Sequence, residues 1–139
     1  DETIVRSADL GIEDRVEFIG RVPHEDIFSY LHKADLGLAL LDPDRFEQDI
    51  PLKLFEYMYA GIPVVTTPTG ASSKFISEEW GVIVPFDDTD TQASKVMELL
   101  SNKEQMKEMG KRGKKMVENE YSWNNEIEKL LDLYQSLIG

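Results

Sequence analysis

Residues 51–65 read PLKLFEYMYAGIPVV, an apolar-periodic helix, a glycine stop and a buried strand in quick succession. Pro51 suits a first helical position, because its missing N–H would be unpaired there anyway. Leu54, Phe55, Met58 and Tyr59 recur at helical spacing. Gly61 can take the left-handed conformation that ends a helix, and Pro63-Val64-Val65 then starts an apolar strand. Two charges sit within the helix, Lys53 in its first turn and Glu56 one turn from its start. A helix N-terminus offers free N–H groups and partial positive charge, so a lysine there makes a phosphate site. A carboxylate one turn on can accept hydrogen bonds from two sugar hydroxyls. These are parts for holding a nucleotide. Lys and Glu three apart on a helix more often form a weak surface pair, so spacing alone leaves both readings open.

Short apolar runs at Val16–Gly20, Asp35–Leu41, Pro63–Thr66 and Val82–Val84 read as strands. Helices are predicted between them, at about Pro23–Lys33, Pro51–Ala60 and Ser72–Glu79. The alternation reads as α/β with a parallel sheet of about four short strands and flanking helices. After Phe86 the pattern turns helical: Thr91–Leu100, a helix started by the capping box Ser101-x-x-Glu104 and running to about Glu120, and Trp123–Leu137 capped by Ser122. The last helix carries an apolar stripe, Ile127, Leu130, Leu131, Tyr134 and Ile138. Trp80, Trp123 and Tyr134 read as core or helix-packing aromatics.

The run at 51–65 resembles the signature of the group 1 glycosyltransferases (family 4, GT-B fold), through Pro51, Lys53, Glu56, Tyr57, Met58, Gly61, Pro63, Val64 and Val65. The likeness extends along the chain. Val16-Glu17-Phe18-Ile19-Gly20 resembles the family's strand before its V-x-F-x-G-x-V turn, and Ala34-Asp35-Leu36-Gly37-Leu38 its next strand. Thr69-Gly70 and Gly81-Val82-Ile83-Val84 resemble the donor loop and last strand, and Tyr121-Ser122-Trp123 with Leu130 and Tyr134 the C-terminal helix. Two positions depart from the commoner pattern. Of two glutamates eight positions apart, the earlier is Gln48 here. A Gly-Gly donor loop with a glutamate three residues on is here Gly70-Ala71, with Lys74 at the acidic position.

The resemblance implies transfer of a sugar from a nucleotide-diphosphate donor to a hydroxyl acceptor, in polysaccharide or glycolipid synthesis, with retention favoured. Glu56 would bind the ribose hydroxyls. Lys53 and the N-terminal amides of its helix, Leu52 among them, would hold the diphosphate. The turn Arg21-Val22 would meet the base through its backbone. Gly70-Ala71 would let the donor sugar approach closely, and Gln48 would complete the donor site. No cofactor or metal is implied, the nucleotide sugar being a substrate. Against the family pattern, residues 1–139 are expected to be a single, truncated Rossmann-like domain. The first two strand–helix units and an N-terminal domain carrying the catalytic base and acceptor site would lie outside it. This is expected to leave the chain a portion of the enzyme, inactive alone.

If strand Val16–Gly20 closes up beside Asp35–Leu41, a four-stranded sheet results; otherwise an apolar edge stays open at Leu36, Leu38 and Leu40. Either way, self-association of the isolated chain is expected. The alternative to a transferase is a non-catalytic receiver-like or flavodoxin-like module. The first strand closes Ile19-Gly20-Arg21 with neither an acidic pair nor a phosphate loop.

Composition narrows the partners. Net charge is −12, spread unevenly: residues 98–139 hold seven Lys+Arg against eight Asp+Glu, leaving eight against nineteen in residues 1–97. An acidic body argues against nucleic acid. The acidic loop Asp42, Asp44, Glu47, Asp49 precedes the phosphate helix, so a complete site needs basic groups from elsewhere. There is no cysteine, hence no disulfide framework or thiolate metal site. His24 and His32 read as surface or helix-end residues. Lys103, Lys107, Lys111, Lys114 and Lys115, interrupted by Glu104, Glu108 and Glu118, read as a solvated face. No run is apolar enough to span a membrane, and DETIVRSADL lacks a signal pattern. A cytoplasmic chain is expected, with the parent at the inner membrane face as a further option.

Overall fold

A computed structural model describes residues 2–47, 50–70 and 72–138. Helix α1 (Glu2–Asp9) leads through short 3-10 turns at Glu13–Arg15 and His24–Asp26 to α2 (Ile27–Leu31). Then β1 (Gly37–Ala39), α3 (Leu52–Tyr59), β2 (Val64–Thr66), α4 (Ser72–Phe75) and β3 (Gly81–Ile83) alternate. The chain closes with α5 (Thr89–Ser101), α6 (Lys103–Glu120) and α7 (Trp123–Ile138). The strands form one parallel sheet, in the order β1-β2-β3, with Gly37 opposite Val64 and Val64 opposite Gly81. The α/β expectation therefore holds.

The core follows from the central strand. Successive side chains of a strand face opposite ways, and β2 is buried throughout. Val64 packs with Leu54 and Met58 of α3, Phe75 and Ile76, and Val117 of α6. Val65 packs on the other face with Val84, Leu99 of α5 and Met106 and Met109 of α6. Helix α6 thus serves both faces. It comes close at the α3–β2 corner, where Gly61 takes φ +79 and its carbonyl occupies the space that a β-carbon on residue 110 would need. Only a glycine at 110 allows that approach.

Several boundaries differ from the sequence reading. Val16–Gly20 is in no ladder, and Val16, Phe18 and Ile19 are exposed. The sheet therefore has three strands among the described residues, not four. An apolar extended run becomes a strand only against a partner, and among the described residues β1 pairs with β2 alone. The open edge is the outcome, with Leu38 and Leu40 exposed, but Leu36, expected there too, is half-buried against the core around Val65. Helix α1 has no counterpart in the sequence reading. Helix α4 stops at Phe75, short of Glu79. Helix α5 begins two residues early, because Asp88 accepts from Thr91 N–H at 3.0 Å and caps it. The predicted box at Ser101 is displaced: Ser101 ends α5, and Asn102 Oδ1 caps α6 by accepting from Gln105 N–H at 3.0 Å. Ser122 does cap α7, accepting from Asn125 N–H at 3.3 Å.

Helix α7 buries none of its residues, so its apolar stripe is not core. Trp123 is 81% exposed, against the packing role expected of it, and Tyr134 is exposed as well. Trp80 does pack on the core, and its indole N–H donates to Phe75 O at 3.2 Å. The lysines of α6 lie on a solvated face, Lys111 paired with Glu108 at 2.6 Å and Lys114 with Glu118 at 4.0 Å. Among the described residues no helix is long and apolar enough to cross a membrane.

Candidate functional site

Ligands of open parallel sheets bind beyond the carboxyl ends of the strands. Three connections meet there: 40–47 after β1, 67–70 after β2 and 84–88 after β3. Buried hydroxyls tie the first two together. Thr67 Oγ1 accepts from Leu41 N–H at 2.8 Å and donates to Leu41 O. Thr66 Oγ1 donates to Ala39 O at 2.9 Å. Ser72 Oγ lies 2.6 Å from Thr69 Oγ1, accepts from Thr69 N–H at 3.0 Å and donates to Thr67 O at 3.1 Å. Thr66, Thr67, Thr69 and Ser72 are fully buried, and no buried side-chain polar atom lacks a partner among the described residues. Gln92 anchors the third connection, donating to Pro85 O at 2.7 Å and Phe86 O at 2.8 Å. The sequence reading missed this network. Its signal is the hydroxyl-rich stretch Thr66-Thr67-Pro68-Thr69 through Ser72-Ser73 directly after an apolar strand.

Helix α3 starts at these carboxyl ends, because it follows β1. Pro51 is its N-cap, with φ −62 and ψ 129, and Leu52 is the first helical residue, one later than expected. Pro51 has no side-chain group with which to cap this terminus. Leu52 is 77% exposed, and Lys53 is exposed. One turn on, Glu56 is half-buried. Its partner is not Lys53: the Glu56 Oε1 atom lies 3.6 Å from Nε2 of His24, with the carboxylate side chain 26% exposed and the imidazole 80%. That contact joins α3 to the turn after Val22, which is half-buried. Burial, and then the charge of Glu56, pushes the neighbouring Tyr57 phenol above its ordinary value. The Tyr57 hydroxyl donates to Leu38 O at 3.4 Å.

Beside Glu56 runs a groove of about 590 Å³, lined among others by Phe28, Phe55, Tyr59, Tyr121 and Trp123. Phe28 meets Tyr59 edge-on at 5.5 Å between ring centroids, and Phe55 meets Tyr121 at 5.2 Å. Gly70 lies on the connection after β2. The Glu47 carbonyl occupies the position its β-carbon would take. The structure therefore brings together Glu56 with His24, two residues beyond Val22, and Gly70 with Glu47 of the acidic loop. Leu52 and Lys53 stand at the start of α3. Gln48 and Ala71 lie outside the described residues. His24 and His32 fall at helix ends, as expected, but the contact of His24 with Glu56 was not foreseen.

The family model described as glycosyl transferases group 1 matches residues 1–116. The chain belongs to that family. It is 26% identical to the GDP-mannose-dependent monoacylated alpha-(1-6)-phosphatidylinositol monomannoside mannosyltransferase of Corynebacterium glutamicum, over 97% of this chain and 36% of that protein. Among solved structures it is similar to sucrose-phosphate synthase of Thermosynechococcus elongatus, with a TM-score of 0.87 at 24% identity over 99% of this chain and 34% of that one. It is also similar to HepE of Anabaena, in complex with UDP, with a TM-score of 0.85 at 17% identity over 97% and 36%. These likenesses show the fold. The chain spans about a third of the length of the curated relatives it matches, 36%, 32% and 37% of the first three. Family membership disfavours the receiver-like and flavodoxin-like alternatives.

Proposed function

We propose that residues 1–139 are a single donor-binding domain of a glycosyltransferase that moves a sugar from a nucleotide-diphosphate donor to a hydroxyl acceptor, in polysaccharide or glycolipid synthesis. Glu56 accepts hydrogen bonds from the ribose hydroxyls. Lys53 and the amides at the start of α3, that of Leu52 included, hold the diphosphate, where the helix dipole and the lysine offset its charge. The backbone at Val22 meets the base. Gly70, Ala71 and Gln48 border the donor sugar. The acceptor site and the groups that act on the transferred sugar belong to another part of the parent, which meets its acceptor at the inner face of the membrane. The relative named for GDP-mannose and a phosphatidylinositol acceptor, and the neighbour holding UDP, support this reading.

The observation that carries it is the placement of Glu56. It is a half-buried carboxylate on the helix leaving the carboxyl ends of the sheet, in contact with His24, two residues beyond Val22. A surface ion pair with Lys53 would have spoken for the bland alternative, and Glu56 has His24 instead. In the full-length parent, Glu56→Ala is expected to abolish or strongly reduce transfer while the protein stays folded. Near-normal kinetics in that variant would sink the assignment.

A further inference from the structure

His24 opens the 3-10 turn His24–Asp26 immediately after Pro23, and its imidazole reaches across to another element. Its Nε2 lies 3.6 Å from one oxygen of Glu56, Oε1. With one oxygen engaged, Oε2 is left to accept from hydroxyls. The titratable and charged groups that meet here are Lys53, Glu56, Tyr57 and Tyr59 on α3, Arg21, Glu25 and Asp26 beside His24, and Glu118 and Tyr121 across the groove beside Glu56. Helix α2, which follows, carries Tyr30 and ends at His32. Among side-chain types, the imidazole is the one whose charge ordinarily changes near neutral pH. The protonated imidazole supplies a positive charge in a stretch, residues 1–97, where carboxylates outnumber Lys and Arg nineteen to eight.

We infer that His24 is a positioning residue for Glu56: the imidazolium holds Oε1, turns Oε2 toward the ribose hydroxyls, and strengthens donor binding when it is protonated. This rests on the donor-binding reading of Glu56. The effect is modest, because the imidazole is largely in water and such pairs are screened. It reaches binding through a carboxylate whose orientation matters to two hydroxyls at once.

The test is ligand-observed NMR on the chain with GDP-mannose and UDP-glucose at millimolar concentration, at about pH 6 and about pH 8. These probes carry diphosphate diesters, which do not titrate in that window, so any pH ratio comes from the protein. The wild type is expected to bind one probe about threefold more tightly at the lower pH, in line with an exposed pair. His24→Gln and His24→Ala should lose that ratio, and His32→Gln should keep it. Glu56→Gln should bind more weakly at both values with no ratio left. A His24→Gln variant with the wild-type ratio overturns the positioning role alone. Full affinity in Glu56→Gln overturns the donor reading and this role with it.

Discussion

Glu47 and Gly70 share a space that a side chain would contest: the carbonyl of the first lies where the β-carbon of the second would be. The acidic loop after β1 therefore rests directly on the connection after β2. Gly70→Ala should push the two apart. The expected cost is about 1–2 kcal/mol, the usual scale for a steric insertion that the backbone partly absorbs. Denaturant unfolding measures it, and an unchanged midpoint would show that the loop gives way freely.

Ser72 makes the second prediction. Its hydroxyl accepts from Thr69 N–H and donates to Thr67 O inside a fully buried cluster. In Ser72→Ala, Thr69 N–H and Thr67 O keep their bond to each other at 2.9 Å, but the buried Thr69 hydroxyl, 2.6 Å from Ser72 Oγ, loses its acceptor out of reach of water, at about 1–3 kcal/mol. Ser73→Ala is the control. Its hydroxyl bonds Thr69 O at 2.9 Å from a position open to solvent, so water can replace it and the loss should be smaller. Equal losses would contradict the role given to the buried cluster.

Tyr57 supplies a pH dependence. Its folded-state value is raised, by burial and then by Glu56. The stability linked to it is fully present below the unfolded value near 10 and is lost as pH rises from there through the folded value. In Tyr57→Phe the phenol is gone, so stability should fall less steeply above about pH 10 than in the wild type. Chemical denaturation at neutral and alkaline pH compares the slopes. Parallel slopes would mean that the phenol ionises as easily in the fold as outside it.

Assembly gives the fourth. The free edge of β1 presents Leu38, 48% exposed, and α7 presents Trp123, Ile127, Leu130 and Tyr134 to solvent. Open edges and contiguous apolar faces recruit partners. The chain alone is expected to self-associate at micromolar concentration, seen by light scattering. A monodisperse monomer over a wide concentration range would refute this.

Parts of the fold and of the site were legible before any coordinates because their signals are local. Helical spacing from Leu54 to Tyr59, a glycine free to take φ +79 at position 61 and the apolar Val64-Val65 act through the backbone of their own neighbours. Lys53 and Glu56 were readable on the same helix, together with the family they imply. What each side chain meets was not. Val16–Gly20 has strand composition, but pairing depends on a distant partner, and none of the described residues supplies one. The stripe of α7 has core composition, but amphipathic spacing does not say which surface will cover it. The hydroxyls of Thr67 and Ser72, the glycine at 70 and the imidazole of His24 take their meaning from Leu41, Glu47 and Glu56, which stand elsewhere in the chain. Periodicity and capping are properties of consecutive residues, whereas a site is a set of distances between residues that only folding brings together.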